Sequence, residues 1–405
     1  MNEESAFILL FVVATGVALA VRVVRVPYTV ALVLAGLAIG ALRLFPAPLL
    51  TKDLLFSVFL PGLIFEAAFH IDGRQFRANW IMIAALAVLG VVASIALVAL
   101  LLPPIVHAFG VAPDFSWKHA LVFGALMSAT DPVAVVGLFR YIRAPPRLTT
   151  LLDGESLLND GTAIVFFTLS LSVVEGAAPG AGELTLQFIA VVGMGAMIGI
   201  VIGAAGAWLI RRVHDPMIEI AVTTIVAYGS FAGAQTLEAS GVIATVAAGM
   251  LCATYGARGR MSAAPRAACG SFWEYVAFAL NSVIFLLIGF EVRLPLLISY
   301  WLPVFVAYSV VTVGRGLVIA VNHTLAGLTH KPMPAGWSLV LAWGGLRGAL
   351  PMVLVLTLPN TFPYRQLLIS MTFGVAVLSI LLQGLTMRWL MTRLKVVNGP
   401  AGSTT

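Results

Sequence analysis

Four carboxylates of this 405-residue sequence stand inside apolar stretches: Glu66, Asp131, Glu155 and Asp160. Two arginines, Arg315 and Arg347, do the same. A charge at the middle of a membrane span costs roughly 2.5–3.5 kcal/mol on insertion scales, so such residues mark an interior path or pair with one another. Mutual pairing accounts for two acids at most. At least two are left to be protonated or to bind a cation, and that surplus points to cation or proton passage.

Spacing sorts these groups. At about 100° per residue, Ser156 and Asp160 lie within about 40° of each other on a helix. Glu155 and Asn159 form a second such pair. Glu155 and Asp160 fall about 140° apart by the same rule, so they require different partners. A hydroxyl and a carboxylate on one face are hard oxygen ligands suited to a hard cation. Ser156 taken alone reads as a helix-to-helix hydrogen bond. Asp131 sits in Ser128-Ala129-Thr130-Asp131-Pro132, where the proline lacks an N–H and crowds the preceding turn. The helix is expected to open near Thr130, which is tolerated at membrane depth only where the backbone is buried or lines a cavity. Gly344-Gly345-Leu346-Arg347-Gly348-Ala349-Leu350-Pro351 is a second breakable stretch. One interrupted span in each half of a chain is the sequence pointer to a transporter with inverted repeats. Glu66 reads either as an interfacial anchor or as the edge of an ion cavity. His70 reads as a loop residue.

The elements that must position these groups are membrane helices. Hydrophobic residues make up 60% of the chain and charged residues 10%, against about 25% charged in soluble domains. With a mean hydropathy of +1.04, this excludes a soluble enzyme, a disordered chain and a disulfide scaffold. Cys252 and Cys269 fit no metal or redox spacing and read as packing residues. Gly195, Gly199 and Gly203 form a stripe for close helix packing. Runs long enough to span a bilayer fall near 6–21, 28–45, 53–70, 79–102, 118–139, 149–174, 185–210, 217–237, 240–256, 271–290, 295–321, 335–358 and 366–387. The eleventh is expected to tilt or break, and Pro103-Pro104 is read as a connection. This gives an all-α polytopic membrane protein of about thirteen helices. Residues 1–395 form one transmembrane domain and 396–405 a short tail.

Charge orients it. Of the 23 Lys and Arg, only Arg43, Lys52, Lys118, Arg293 and Arg365 fall on one side, and Arg315 and Arg347 fall inside spans. The other sixteen gather on the opposite side, which the positive-inside rule makes cytoplasmic. The N-terminus is then outside and the C-terminus inside. The acidic start, Met1-Asn2-Glu3-Glu4, lacks the positive charge of a signal peptide and reads as the head of a retained helix. The same sorting explains the pI of about 9.6. No basic stripe interleaved with aromatics suggests nucleic acid.

At three stretches the sequence resembles the monovalent cation:proton antiporters of the NhaP/NHE type: 130–135 (Thr-Asp-Pro-Val-Ala-Val), 154–161 (Gly-Glu-Ser-Leu-Leu-Asn-Asp-Gly) and 344–349 (Gly-Gly-Leu-Arg-Gly-Ala). Weaker matches are 61–66, 240–244 and 281–289. The resemblance implies a thirteen-helix fold with two inverted six-helix repeats, whose fifth and twelfth spans unwind and cross, in a homodimer. It implies exchange of Na⁺ (or Li⁺/K⁺) for H⁺ with no cofactor, in the plasma (inner) membrane. Asp160 would carry the ion or proton. Ser156, Thr130, Asp131 and Glu66 would help to coordinate the cation, partly through backbone carbonyls and water. Asn159 before Asp160 resembles the electroneutral branch and would support the crossing. Glu155 would pair with an arginine, Arg315 being favoured, with Arg347 supporting the twelfth-span crossing.

Rival functions are a K⁺-selective antiporter, a cation channel and, more remotely, an intramembrane hydrolase. The last lacks an HExxH motif, a GxSxG elbow and a histidine at membrane depth.

Overall fold

In hydrocarbon every backbone N–H and C=O must be satisfied within the protein, so apolar runs of this length fold as helices. The computed structural model describes residues 3–24, 27–42, 52–110, 112–131, 133–142, 144–176, 180–213, 215–256, 263–292, 294–327 and 333–396. Pro132, the basic loop residues Arg25, Arg43, Arg143, Arg258, Arg260, Arg293 and Lys331, and the tail from 397 lie outside them. Among the described residues the structure is all-helical, with no strand.

In chain order the helices are α1 (Glu3–Val24), α2 (Tyr28–Leu42), α3 (Leu55–His70), α4 (Gly73–Ala108), α5 (Trp117–Leu126), α6 (Val133–Ile142), α7 (Pro146–Val174) and α8 (Ala181–Ile210). They continue as α9 (Pro216–Thr236), α10 (Gly241–Thr254), α11 (Ala263–Glu291), α12 (Trp301–Gly327), α13 (Ala335–Trp343), α14 (Ala349–Leu356) and α15 (Arg365–Arg393). Seven described helices are long and apolar enough to cross a membrane, and α1, α2, α3 and α10 contain shorter apolar stretches. The paired short helices α5–α6 and α13–α14 are the two interrupted spans. A further short helix, Leu294–Ser299, precedes α12, so the eleventh span does break, at Tyr300. Two expectations change. α4 runs on through Pro103 and Pro104 to Ala108, because a membrane bundle re-satisfies the few backbone groups that a proline frees. His70 is the last residue of α3 rather than a loop residue.

Several spans widen locally into π-helical turns, at Leu55–Phe59, Ala85–Gly90, Cys252–Gly256 and Ser379–Gln383. A π turn lets a backbone carbonyl out of the regular ladder. Hydroxyls on other helices take two of these. Tyr228 Oη donates to Val58 O (3.2 Å) and Thr162 Oγ1 to Ala87 O (2.8 Å). The helices are thereby pinned across the bundle by polar contacts as well as by packing.

The stripe on α8 packs against α10. A Cβ built on Gly199 would run into the backbone of Ala244, and one on Gly203 would come within 2.7 Å of Ala248 Cα. Only glycine allows the two backbones to approach this closely. Gly193, on the exposed side of the same helix, has nothing within 4 Å of its Cβ position. Gly199→Val should therefore cost roughly 1–3 kcal/mol of stability by overpacking, and Gly193→Val should leave the bundle unchanged beyond helix propensity. Thermal unfolding in mild detergent separates the two. Equal loss in both variants would contradict the packing assignment.

Candidate functional site

The site is built where the two interrupted spans meet. α5 ends at Leu126, and residues 127–131 leave the helix before α6 begins. α13 ends at Trp343, and residues 344–348 leave the helix before α14 begins. One hydrogen bond ties the two unwound stretches together, from the Asp131 backbone N–H to Leu346 O at 2.8 Å. Gly348 lies against that junction. A Cβ there would sit 2.5 Å from Asp131 Oδ2, so any larger residue pushes the two unwound segments apart.

Unwinding frees carbonyls at membrane depth, and polar side chains take them. Ser156 Oγ donates to Thr130 O at 2.5 Å. Asn159 Nδ2 donates to Thr130 Oγ1 at 2.6 Å, and the Thr130 N–H reaches Asn159 Oδ1 at 3.4 Å. Arg347 Nη1 donates to Ala129 O at 3.2 Å, and its backbone N–H donates to Ser379 Oγ at 3.0 Å. The side chains of Thr130, Ser156, Asn159 and Arg347 are all buried. One face of α7 thus braces the first break, and Arg347 from the second break braces it from the other side.

Glu155 and Asp160 go to different neighbours. Glu155 is buried, 3% exposed, and receives both Arg315 nitrogens, Nη1 to Oε1 at 2.7 Å and Nη2 to Oε2 at 3.2 Å. Arg315 also donates to the last carbonyls of α13, from Nη2 to Leu341 O at 2.9 Å and from Nε to Ala342 O at 3.2 Å. This guanidinium therefore does two things. It neutralises Glu155 in a bidentate pair, and it caps the C-terminal end of a half-helix, where positive charge is favoured. Asp160 lies on the other side of α7. Among the described residues its carboxylate has no hydrogen-bond or ion-pair partner.

Asp160 faces a cavity of about 110 Å³ that Thr130, Asp131, Ser156 and Glu66 also line. This is several times the roughly 10–15 Å³ that one water needs. Its lining residues offer carboxylate, hydroxyl and carbonyl oxygens, the donor types that suit a hard cation. Ser156 Oγ keeps its lone pairs after donating to Thr130 O. Glu66 enters from α3 and is contacted by His70, whose Nδ1 is 3.1 Å from Glu66 Oε1 and 3.0 Å from Glu66 O. Glu155, Arg315 and Arg347 are not in the lining. They stand behind it and hold the backbone in place.

Two lining residues were missed as site candidates, Asp153 and Asn281. The signal for Asp153 was present in the sequence. Seven residues, close to two full turns, separate it from Asp160, so the two share a face of α7. Asn281 comes from α11 and carries no comparable periodic signal. Glu219 is 1% exposed near the start of α9, outside the cavity.

An all-helical membrane protein with two broken helices crossing at a buried acidic cavity has the architecture of a secondary ion transporter. The comparisons narrow the class. The transmembrane model of the sodium/hydrogen exchangers matches residues 7–393, and the chain belongs to that family. It is 35% identical over 379 residues to the low-affinity Na⁺/H⁺ antiporter NhaS1 of Synechocystis, covering 92% of this chain and 70% of the relative. It is 36% identical over 355 residues to the Na⁺/H⁺ antiporter NhaP of Pseudomonas aeruginosa, covering 85% of this chain and 81% of the relative. The solved structure of the sodium proton antiporter MjNhaP1 from Methanocaldococcus jannaschii at pH 8 superposes with a TM-score of 0.76 at 18% identity. That match covers 98% of this chain and 99% of the other, a likeness of fold.

The two carboxylates of α7 should respond oppositely to mutation. Arg315→Met leaves the Glu155 charge buried without its partner and opens the α13 carbonyls, a loss of about 3–5 kcal/mol. Asp160→Asn removes a charge with no partner and should leave the unfolding temperature unchanged or raised. Thermal denaturation of both purified variants measures this. A stable Arg315→Met protein would contradict the bracing role.

Proposed function

We propose that the chain exchanges one Na⁺ (or Li⁺/K⁺) for one H⁺ by alternating access, with Asp160 as the shared cation and proton site. Na⁺/H⁺ antiport is the activity of this family, and the relatives described above are Na⁺/H⁺ antiporters by name. The observation that carries the finer reading is the Asp160 carboxylate itself. It has no partner among the described residues and it faces the acidic cavity at the crossing.

Charge balance supplies the mechanism. With a cation bound, Asp160 is neutralised by coordination together with Ser156 and Thr130, and Asp131 and Glu66 complete the oxygen shell directly or through water. With the cation gone, a proton neutralises the same carboxylate. The empty, charged site carries a desolvation penalty when it is occluded, so the unloaded form crosses poorly and the two fluxes are coupled. Asn159 is neutral and is engaged by Thr130, so of the adjacent pair 159–160 only Asp160 carries a charge that changes partner in each cycle. This supports an electroneutral one-to-one ratio. The Glu155–Arg315 pair and Arg347 hold the backbone and take no part in the ion exchange. As for Ser156, its hydroxyl is bonded to the Thr130 carbonyl and the described lining of the cavity contains no histidine, which favours cation ligation over a nucleophilic role.

In this reading the interrupted pairs α5–α6 and α13–α14 each count as one span, giving thirteen. Residues 1–395 make up one transmembrane unit. The N-terminus is outside the inner membrane, the C-terminus is in the cytoplasm, and two copies associate.

Exchange is read by cation-induced dequenching of a pH-sensitive dye in proteoliposomes. Asp160→Asn should abolish it for Na⁺, Li⁺ and K⁺ alike; substantial remaining Na⁺-driven proton flux would remove Asp160 from its role. Because protons and cations compete for one group, the apparent KM for Na⁺ should rise as the pH falls, with the maximal rate less affected. An imposed membrane potential should leave the ratio near one to one. A current proportional to flux would overturn electroneutrality.

A further inference from the structure

A second cavity, of about 510 Å³, lies between α7, α8, α9 and α10 and shares no lining residue with the ion site. Its size is that of a pocket for an organic ligand. Ile164, Met194 and Phe231 contribute apolar wall, and Gln187, Gln235 and Glu238 contribute polar groups.

Helix register places these groups at different depths. α9 has 21 residues, about 31 Å at 1.5 Å per residue, which matches the roughly 30 Å hydrocarbon core of a bilayer. Gln235 and Glu238 are therefore at the edge of that core. Gln187 is six residues into α8, and Met194 is seven residues deeper on the same helix. On α9, Phe231 is likewise deeper than Gln235. The cavity thus has a polar rim at headgroup level and an apolar interior at acyl-chain level.

The rim carries a backbone feature of its own. Glu238 adopts φ +55°, in the left-handed region. Glycine is the residue usually found there, at the end of a helix. The turn is closed by Glu238 N–H to Gln235 O (3.1 Å) and Ala239 N–H to Ala234 O (2.9 Å). A carboxylate thus occupies a strained, well-defined turn beside two side-chain amides, all exposed and all on the rim of the same cavity. Observed strain of this kind, held by its surroundings, is a pointer to function.

We propose that this cavity binds an aminophospholipid of the bilayer, with one acyl chain between α7 and α8 and the primary ammonium on Glu238. A primary ammonium offers three N–H donors to the Glu238 carboxylate and the amide oxygens of Gln187 and Gln235. The amide N–H groups are left for the phosphate or ester oxygens. A quaternary choline headgroup has no N–H to donate. An anionic glycerol headgroup would meet the Glu238 charge with repulsion.

The test uses the full chain in nanodiscs of equimolar phosphatidylethanolamine, phosphatidylcholine and phosphatidylglycerol. Lipid retained after transfer to mild detergent is identified by native mass spectrometry. The wild-type protein should retain phosphatidylethanolamine by about tenfold over each of the others, the scale of one charge-assisted hydrogen bond. Glu238→Gln should erase the headgroup preference while the chain still binds. Filling the cavity from α8 with Ala190→Trp, or from α7 with Thr168→Trp, should abolish retention of all three lipids. Either filling variant serves if the other fails to fold. Equal retention of the three lipids by the wild type, preference for phosphatidylglycerol, an unchanged preference in Glu238→Gln, or full retention in a folded filling variant would each overturn the assignment.

Discussion

Breaking a helix inside a membrane leaves backbone carbonyls where no solvent can reach them, and the organisation of this protein follows from how those carbonyls are satisfied. Ala129 O is taken by Arg347, Thr130 O by Ser156, Leu341 O and Ala342 O by Arg315, and Leu346 O by the backbone N–H of Asp131. Each acceptor belongs to one of the two interrupted spans. The donors come from both breaks and from two neighbouring helices, α7 and α12. An unpaired polar group in a dry interior costs several kcal/mol, so the crossing is stable only because all these donors arrive together.

That requirement also explains the unequal treatment of the α7 acids. Glu155 is drawn into the bracing network because Arg315, needed for the α13 carbonyls, brings a charge that must itself be neutralised. Asp160 is on the far side of the same helix and takes no part in that network. A charge already neutralised by a fixed guanidinium cannot exchange partners cheaply, whereas a carboxylate facing a cavity of oxygen donors can. The same helix thus supplies a permanent ion pair on one side and an exchangeable site on the other, separated by about 140° of helical turn.

Elsewhere in the bundle the constraint recurs in milder form. π-helical turns in α3 and α4 release carbonyls that Tyr228 and Thr162 bond from other helices. Thr162 is two residues beyond Asp160, so the widened turn of α4 is bonded to the helix that carries the site. The glycine stripe of α8 serves close approach of backbones, with the Cys252 thiol reaching Gly203 O at 3.8 Å and the Ser240 N–H donating to Val191 O at 3.1 Å.

Much of this was legible in the amino-acid order. Composition fixed the helical membrane class, because hydrocarbon admits few other backbones. Pro132 and the 344–351 run marked the breaks, because they act on the local backbone whatever surrounds it. The offsets within 153–160 determined which α7 residues share a face, although Asp153 went unnoticed among them. Other features depended on the tertiary structure. Arg315 was favoured over Arg347 as the partner of Glu155 through the family resemblance alone, since no spacing in the sequence separates the two, and the pair itself is seen only in the bundle. Asn281 has no periodic signal, His70 reads as a loop residue, and Pro103-Pro104 reads as a helix end. Each of these depends on which helices become neighbours and at what depth. Local order sets the rotation of a residue about its own helix axis, but contact across the bundle is decided by the packing of all the helices at once.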